Sequence, residues 1–561
     1  MILSKKVIFS VLCLLLVMIL AGCGQQNTGR TAASSGTAAA QGIGPDMLLL
    51  PTVQNMGDRF PGSWDNYGFL LRYILFSRLL RLDTGLNPVY GDLAQTWTSS
   101  PDGLIYTFTL RNNIKWHDDT AFTADDVAFS LKTAMKSPQV NAVIKSAINC
   151  IKGAAAFAAD STKTAADEIE GIKINGNVLT IAMDHPCGTF LLSMAQFNIL
   201  PRHKIEGLNP LQINTSVYYD WPIGTGPYRV KEFVPNDYAL LEAYDDYFGP
   251  RPQIKQIKIT QMNENDFPTR SLANDIDYFQ TNSLDIALAA LSNPNYKAFY
   301  TDIYFVRYFQ WNSKGVGGRG NDPLNDIRIR RAIIHAIDRQ AIIDSLMPNQ
   351  ATLINTKVPA SFDYANTGVY QLDYNPEKAK QLLREAGFDF SRTIRMAAYY
   401  ADQGTADLMD AVVQYLAAVG VKAEWILLTG DLVSQINEIR DYNIIYAGLS
   451  AMAPEEAYNT FYSTTVATSA SANLFPADFT GMDKLLEELW VTVDPARRRQ
   501  VLMDIQKVET EDMLWHMPLF ALRNVQVFNT ARVNLPPELV LSNEWSNYER
   551  HFEKWTINPA R

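Results

Sequence analysis

Strand-like and helix-like patterns alternate along the whole of this chain, and that alternation most restricts the folds it can adopt. In LIYTFTLR (residues 104–111), apolar side chains occupy every second position, which is typical of a half-buried strand. In NPEKAKQLLREAG, Asn375 suits a helix cap, Pro376 the first turn and Gly387 the end. The mixture predicts an α/β protein with several sheets. The 561 residues exceed what one core normally supports, so two or more lobes are expected.

Three further stretches predict helices. Thr123 and Asp126 fit a capping box at the start of one of them. DIRIRRAIIHAIDRQAII (residues 326–343) carries apolar side chains three and four positions apart and predicts a single helix. SWDNYGFLLRYILFSRLLRLD (residues 63–83) shows the same spacing and predicts another helix.

The N-terminus has the pattern of an export signal. Two lysines precede an apolar run from Val7 to Leu20, and small residues follow before Cys23. Leu20-Ala21-Gly22-Cys23 resembles the bacterial lipobox, in which the cut falls before the cysteine and its thiol carries the lipid. We therefore expect a signal peptide at residues 1–22, a lipidated Cys23 and a flexible, low-complexity tether at 23–42. An uncleaved anchor is the alternative.

Two of the four cysteines, Cys150 and Cys187, remain in the exported part of the chain, where oxidation is permitted. A bridge between them would close a loop of roughly 37 residues, worth about 3–4 kcal/mol in the chain-entropy model. The sequence leaves a disulfide and two buried thiols equally open.

Composition and motifs argue against several functions. The net charge of −10 disfavours nucleic acid as a partner, since phosphate binding needs a basic surface. GVGGRG (residues 315–320) fits a dinucleotide-binding pattern, but Asn321-Asp322-Pro323 separates it from the following helix, so a surface loop is the better interpretation. No cofactor and no metal site are expected, because the histidines are scattered at no ligand spacing. They are His117, His185, His203, His335, His516 and His551.

Four segments, taken together with the N-terminal motif, resemble the extracellular solute-binding proteins that serve peptide and nickel ABC importers. They follow the family's order: DLAQTWTSSPDGLIYTFTLRNNIKWHDDTAFTADDVAFSL (92–131), PIGTGPYRV (222–230), NDPLNDIRIRRAIIHAIDRQAII (321–343) and YNPEKAKQLLREAGF (374–388). Asp119 and Thr120 stand where the family usually has a glycine nearby. One such match would be weak support, whereas five in register indicate membership.

The resemblance implies an α/β fold of two lobes in a periplasmic-binding-protein-like clamshell, with mixed sheets and an extra subdomain in the first lobe. We expect the first lobe at residues 43–300, with its subdomain roughly at 80–215. The second lobe is expected at 301–510, with a return to the first at 511–561. Ligand would lie in the cleft and be engulfed as the lobes close.

The implied function is the substrate-binding component of an ABC importer, which delivers a small solute to a permease and ATPases made of separate chains. We expect a monomer held at the membrane by its lipid, without enzymatic activity. An enzyme or a signalling receptor on the same scaffold is the competing class. Short peptides are the first expectation for the solute and β-linked oligosaccharides the second, while nickel is disfavoured because no ligand cluster is visible.

Candidate ligand contacts lie near expected strand ends and near the crossing between lobes. Trp311, beside Asn312, is the preferred cleft-lining aromatic, although tryptophans more often pack in cores. The full set is Gln54, Asn55, Trp64, Trp311, Asn312, Tyr446, Gly448, Leu449, Ser450 and Met452.

The stretch YAGLSAMAPEE bears on which solute is bound. In peptide-binding members of the family, this place holds a Gly-Trp-x-Ala-Asp-Tyr segment whose aspartate pairs with the peptide's α-ammonium. Gly448 matches the glycine, whereas Leu449 stands at the tryptophan and Met452 at the aspartate. A buried ammonium without a carboxylate partner is costly. We therefore hypothesise that free N-termini are not bound in that way: either Glu455 or Glu456 supplies the charge, or the ligand is uncharged there.

Overall fold

The structure is a computed structural model that describes most of the chain after the N-terminal segment. The described residues are 46–53, 56–57, 74–83, 85–318, 322–451, 453–468, 481–536 and 550–558. Several expectations fall outside them: the signal peptide and Cys23, most of the helix predicted at 63–83, and four of the candidate ligand contacts.

The strands are numbered in chain order. They are β1 (Met47–Thr52), β2 (Leu80–Leu82), β3 (Pro88–Gly91), β4 (Ala94–Ser99), β5 (Ile105–Leu110), β6 (Ile172–Asn175), β7 (Val178–Ala182), β8 (Tyr228–Val234), β9 (Tyr238–Ala243), β10 (Gln256–Gln261), β11 (Tyr278–Thr281), β12 (Tyr296–Trp311), β13 (Ala351–Leu353), β14 (Thr393–Ala398), β15 (Lys422–Leu427), β16 (Ile444–Ser450), β17 (His516–Asn529), β18 (Val533–Asn534) and β19 (Thr556–Ile557).

The α-helices lie mainly between these strands. They are α1 (Ala124–Lys136), α2 (Ala142–Asn149), α3 (Ala154–Ala159), α4 (Phe190–Met194), α5 (Arg202–Ile205), α6 (Phe267–Leu272), α7 (Leu284–Leu291), α8 (Ile327–Ala336), α9 (Arg339–Leu346), α10 (Pro376–Glu385), α11 (Gln403–Ala418), α12 (Leu432–Ser434), α13 (Pro454–Tyr458), α14 (Ser463–Thr468), α15 (Asp483–Val491) and α16 (Pro495–Lys507).

The structure confirms several elements that local sequence signals predict. Strand β5 alternates as predicted and buries Tyr106, Phe108 and Leu110. Helix α1 begins with the expected capping box, in which Thr123 and Asp126 satisfy each other's backbone N–H groups. Helix α10 starts after its predicted cap and ends before a glycine with φ of +67°.

The single helix predicted over residues 326–343 is wrong, because the structure breaks it in two. Ile337 has extended dihedral angles, φ −101° and ψ 120°. The Asp338 side chain then accepts a hydrogen bond from the Ala341 N–H at 2.9 Å and caps α9. The break places Arg339 in the interior, where its guanidinium donates to four oxygens. These are the carbonyls of Ile354, Pro518 and Leu372 and Oδ1 of Asn355. The end of the helix predicted at 63–83 is also wrong, since β2 lies there.

Two four-stranded sheets belong to the first part of the chain. One has the order β1-β10-β9-β8, in which β1 and β10 are parallel and the other pairs antiparallel. The other, β4-β5-β7-β6, is antiparallel throughout and forms the sheet of the expected subdomain.

Two of the family-like segments meet beside the first of these sheets through His117. Its Nδ1 accepts the Gly224 N–H at 3.0 Å, and its Nε2 lies 3.0 Å from the Gly226 carbonyl, so Nε2 carries the proton. The two glycines allow close backbone approach, because a Cβ at Gly224 would lie 1.8 Å from the Leu75 carbonyl oxygen. The glycines of the GTGPY segment therefore allow it to pack closely against the backbone of Leu75 and the ring of His117.

A seven-stranded mixed sheet carries the rest of the fold, in the order β11-β17-β12-β16-β14-β15, with β13 added to β17. The long strands β12 and β17 are antiparallel neighbours near the middle of this sheet. Their register shifts between Asp302 and Val306, and the hydrophobic cluster they contribute to changes there. The expected lobe boundary at residue 301 thus falls inside a continuous strand.

The subdomain of the first part touches the last helices of the second. The Gly188 N–H donates to the Trp490 carbonyl at 2.8 Å, and a Cβ at Gly103 would lie 2.7 Å from the Val493 side chain. Within the described ranges, no helix is both long and apolar enough to cross a membrane.

Candidate functional site

Four candidate residues, Tyr446, Gly448, Leu449 and Ser450, lie on β16, at the carboxyl edge of three parallel strands. β14 runs parallel to both β15 and β16. Tyr446 is buried, Gly448 and Leu449 are half-buried, and Ser450 is exposed. In open α/β sheets, ligands bind outside the carboxyl ends of the strands. The exposure of the side chains along β16 therefore increases from the core toward the candidate site.

The last residues of β16 have a strand partner on only one side in the described part of the chain. β14 pairs with β16 as far as Tyr446, whereas β12 continues alongside to Ser450. An extended ligand can add main-chain hydrogen bonds to such an edge.

Gly448 lies directly opposite Arg307 of β12, and the arginine side chain occupies the space above the glycine. A Cβ at position 448 would lie 2.2 Å from Arg307 Nη1 and 2.8 Å from the Tyr400 hydroxyl. Contacts below 3 Å are not tolerated without movement. The glycine is thus needed here for space, and its φ is not in the left-handed region.

Aromatic rings surround Arg307. Its guanidinium carbon lies 4.0 Å from the Tyr400 ring centroid, 4.6 Å from that of Phe305 and 5.8 Å from that of Tyr446. Such cation–π contacts contribute about 0.5–2 kcal/mol. Among the described residues, no carboxylate lies within ion-pair distance, and Nη1 has no hydrogen-bond partner. Sequence analysis missed Arg307; the available signal was a single charge inside the aromatic strand YFVRYFQW.

Trp311 does not line the candidate site. Its side chain is 0 % exposed and belongs to the main hydrophobic core, together with Phe309 from the same face of β12. Asn312 is buried as well, and its Nδ2 donates to the carbonyls of Gly315 and Tyr442 at 2.7 and 2.9 Å. Both expectations are corrected for one reason: this end of β12 lies toward the core, four residues from the edge that carries Arg307.

Glu455 is not available to a ligand ammonium. Its side chain is 3 % exposed and forms an ion pair and hydrogen bond with Arg498 of α16. That arginine also donates to the Leu489 carbonyl at 3.3 Å. The carboxylate thus holds α13 against α16, and the suggestion that it replaces the family's aspartate is corrected. Glu456 is half-buried and has its own interactions within the protein.

A buried charged network lies behind the helix that follows the site. Lys357 Nζ is 3.1 Å from Glu509 and 3.0 Å from His516 Nδ1, and it donates to the Ala457 carbonyl at 2.7 Å. Burial raises the pKa of Glu509 to about 7, against the opposing effect of Lys357. Burial also lowers the pKa of His516. The network ties α13 to the start of β17 and so fixes the chain just beyond the candidate strand.

Cys150 and Cys187 are neighbours in the structure, where both are free and buried. Their interaction with each other lowers the pKa of the Cys187 thiol and raises that of Cys150. The adjacent residue, Gly188, makes the contact with Trp490 described above. The disulfide stays a prediction, one that the exported environment of the chain favours.

Five of the site residues predicted from sequence lie outside the described residues: Cys23, Gln54, Asn55, Trp64 and Met452. Where the chain is described, no group of three or more histidine, cysteine, aspartate or glutamate side chains could hold a metal ion. A separate cavity of about 750 Å³ is lined only by residues of the first part of the chain, including His117, Trp221 and Glu242. It contains none of the candidate contacts.

The architecture is that of a two-lobed solute-binding protein. The structure superposes on the Listeria monocytogenes ABC transporter substrate-binding protein CtaP with a TM-score of 0.72 at 20% identity, covering 91% of this chain and 99% of the other. It superposes on the Bacillus subtilis oligopeptide-binding protein AppA, solved with a nonapeptide, with a TM-score of 0.64 at 20% identity, covering 91% and 99%.

Sequence comparison identifies the family. The model for bacterial extracellular solute-binding proteins, family 5 (middle region), matches residues 88–469, and the chain belongs to that family. Bacillus subtilis oligopeptide-binding protein AppA is 25% identical, over 82% of this chain and 84% of that protein. The Escherichia coli dipeptide-binding protein is 26% identical, over 56% and 58%. The protein is therefore a transport binding protein and not an enzyme, as expected.

Proposed function

We propose that this chain captures a short peptide or peptide-like solute in the cleft between its lobes and delivers it to an ABC permease. The permease and its ATPases are separate chains, and the binding protein acts as a monomer. The observation that carries the proposal is the half-paired end of β16, where residues 447–450 have no strand partner on one side among the residues that the structure describes. Relatives named for dipeptide and oligopeptide binding support a peptide as the solute.

A thermal-shift screen tests the solute class directly. Di- to pentapeptides are compared with β-linked di- to pentasaccharides at matched concentrations. A ligand at a hundred times its Kd adds roughly 2.7 kcal/mol to the free energy of unfolding, which is readily measured. Stabilisation by peptides supports the proposal. Stabilisation by the saccharides alone overturns it.

We further propose that Cys23 is lipidated and that residues 23–42 tether the folded part to the outer face of a membrane. The basic start, the apolar run and the small residues before Cys23 support this. Cys23→Ser should yield soluble protein or unprocessed precursor in cell fractionation, with the wild-type chain in the membrane fraction as control. A processed variant that stays wholly membrane-bound would refute the anchor.

A further inference from the structure

Arg307 differs from the other buried arginines of the second part of the chain. Arg330 and Arg339 donate to backbone carbonyls, and Arg498 pairs with Glu455. Arg307 is half-buried at the carboxyl edge of the sheet, where its guanidinium lies against aromatic rings and has the Tyr400 hydroxyl as a hydrogen-bond partner. Its Nη1 is buried without a partner.

Aromatic faces do not provide the hydrogen-bond acceptors that the N–H groups of a guanidinium need. The group has five N–H donors arranged in a plane, and its in-plane donors need oxygen acceptors. A buried donor left without an acceptor is unfavourable, and the cost is larger for a charged group. The surroundings of Arg307 thus hold the cation in place through ring contacts while leaving hydrogen-bonding capacity unused.

The position of the side chain places that capacity next to the solvent-exposed end of β16. Gly448 leaves room for the guanidinium at the strand end, and exposed Ser450 continues toward solvent. The hydroxyls of Tyr399 and Tyr400 lie 3.0 Å apart beside it, so one of their two protons is used between them and the other adds one further donor. Donors therefore converge on this edge from β12 and from the segment after β14.

We propose that Arg307 forms a subsite for a carboxylate group of the transported solute. This inference rests on the proposed binding function and specifies its chemistry. A carboxylate matches the planar fork of a guanidinium through two parallel N–H···O bonds. The solute is then selected through a negative group at this edge. The carboxylate can be a peptide C-terminus or an acidic side chain.

Matched acid and neutral ligands separate these sources in titration calorimetry on the purified protein. Trialanine is compared with its C-terminal amide, and Ala-Glu-Ala amide with Ala-Gln-Ala amide. A disaccharide ending in glucuronic acid is compared with its glucose counterpart. The wild type should prefer an acid over its neutral partner by roughly 10-fold to 100-fold, the range expected for charged hydrogen bonds.

Variants assign the preference to the residue. Arg307→Gln should abolish the acid preference, and Arg307→Lys should retain part of it, because the charge remains without the fork. Arg395→Gln is the matched control: Arg395 is half-buried near the amino end of β14 in the same sheet and pairs with Asp441. That control should keep the wild-type preference.

Each outcome decides the matter. Acid preference confined to the sugar pair would support the subsite and refute a peptide solute. Peptides bound without acid preference, or with a preference that survives Arg307→Gln, would overturn the subsite but not the proposed function. A panel in which no acid binds the wild type more tightly than Arg307→Gln would also overturn it.

Discussion

Gly448 and Arg307 form a pair in which the smaller residue determines where the larger one lies. We expect Gly448→Ala to fold, because the atoms its Cβ would meet are ends of side chains that can shift. Overpacking of this kind costs about 1–3 kcal/mol. The displaced guanidinium should lower solute affinity by more than this loss of stability explains.

Affinity and melting temperature measured on the same samples check the prediction. Gly404→Ala is the control, since that glycine lies in α11 with only the Asp402 carboxylate near its Cβ position. A Gly448→Ala variant that binds solute as tightly as the wild type would argue against the pairing as a ligand-site feature.

Loss of the family's aspartate gives a second expectation at the residue scale. Because Met452 stands in its place and Glu455 is paired with Arg498, we expect that no carboxylate of this segment pairs with the peptide's α-ammonium. N-acetylation of a bound peptide should then leave its Kd nearly unchanged in calorimetry. A peptide that loses all binding on acetylation would contradict this.

His117 makes stability depend on pH. Burial lowers its pKa from 6.5 to about 4, so the folded protein holds the ring neutral while the unfolded chain takes up a proton. Its contribution is complete above pH 6.5 and is lost as the pH falls toward 4, by about 3 kcal/mol in all. Denaturant unfolding between pH 7 and 4 measures this. The slope should be shallower in His117→Gln and unchanged in His185→Gln, whose histidine is exposed.

At the scale of elements, Arg339 at the start of α9 holds several segments together. Arg339→Met would leave its four oxygen acceptors without their donor, and we expect a loss on the order of 3–5 kcal/mol in the free energy of unfolding. Arg328→Met, at the start of α8, removes an exposed arginine paired with Asp326 and should cost less than about 1 kcal/mol. Equal losses in chemical denaturation would contradict the role given to Arg339.

Local patterns predicted the elements whose signals are local. The alternation of β5, the capping box of α1 and the caps of α10 depend on neighbouring residues, and the structure confirms all three. The break between α8 and α9 was missed because it depends on what Arg339 reaches, which is far away in sequence. Apolar spacing continues across the break and gave no sign of it.

The candidate site was only partly predictable for the same reason. The end of β16 could be identified from its family-like position. The pairing of Gly448 with Arg307 joins residues 141 positions apart through strand register, which a single sequence does not reveal. Trp311 was placed in the cleft from its nearness to the crossing, and strand direction decided otherwise.

At the scale of the whole molecule, we expect the lobes to close on solute. With the lobe bounds expected from the sequence, strands β12 and β17 would connect the lobes, and the hydrogen bond from Gly188 to Trp490 would join them at one side. Small-angle scattering should show a smaller radius of gyration with a saturating ligand than without it. An unchanged radius with a verified tight ligand would count against closure.

The register shift in β12 has a consequence for how proteins of this kind can diverge. From Asp302 to Val306 the strand takes four residue steps while its partner β17 takes two, from Arg523 to Ala521. The two extra residues form a bulge inside the strand, where Ile303 and Tyr304 are fully buried, so a change in chain length has to be accommodated within the core. An insertion or deletion that the bulge did not absorb would slide β12 along β16 and place a different residue opposite Gly448.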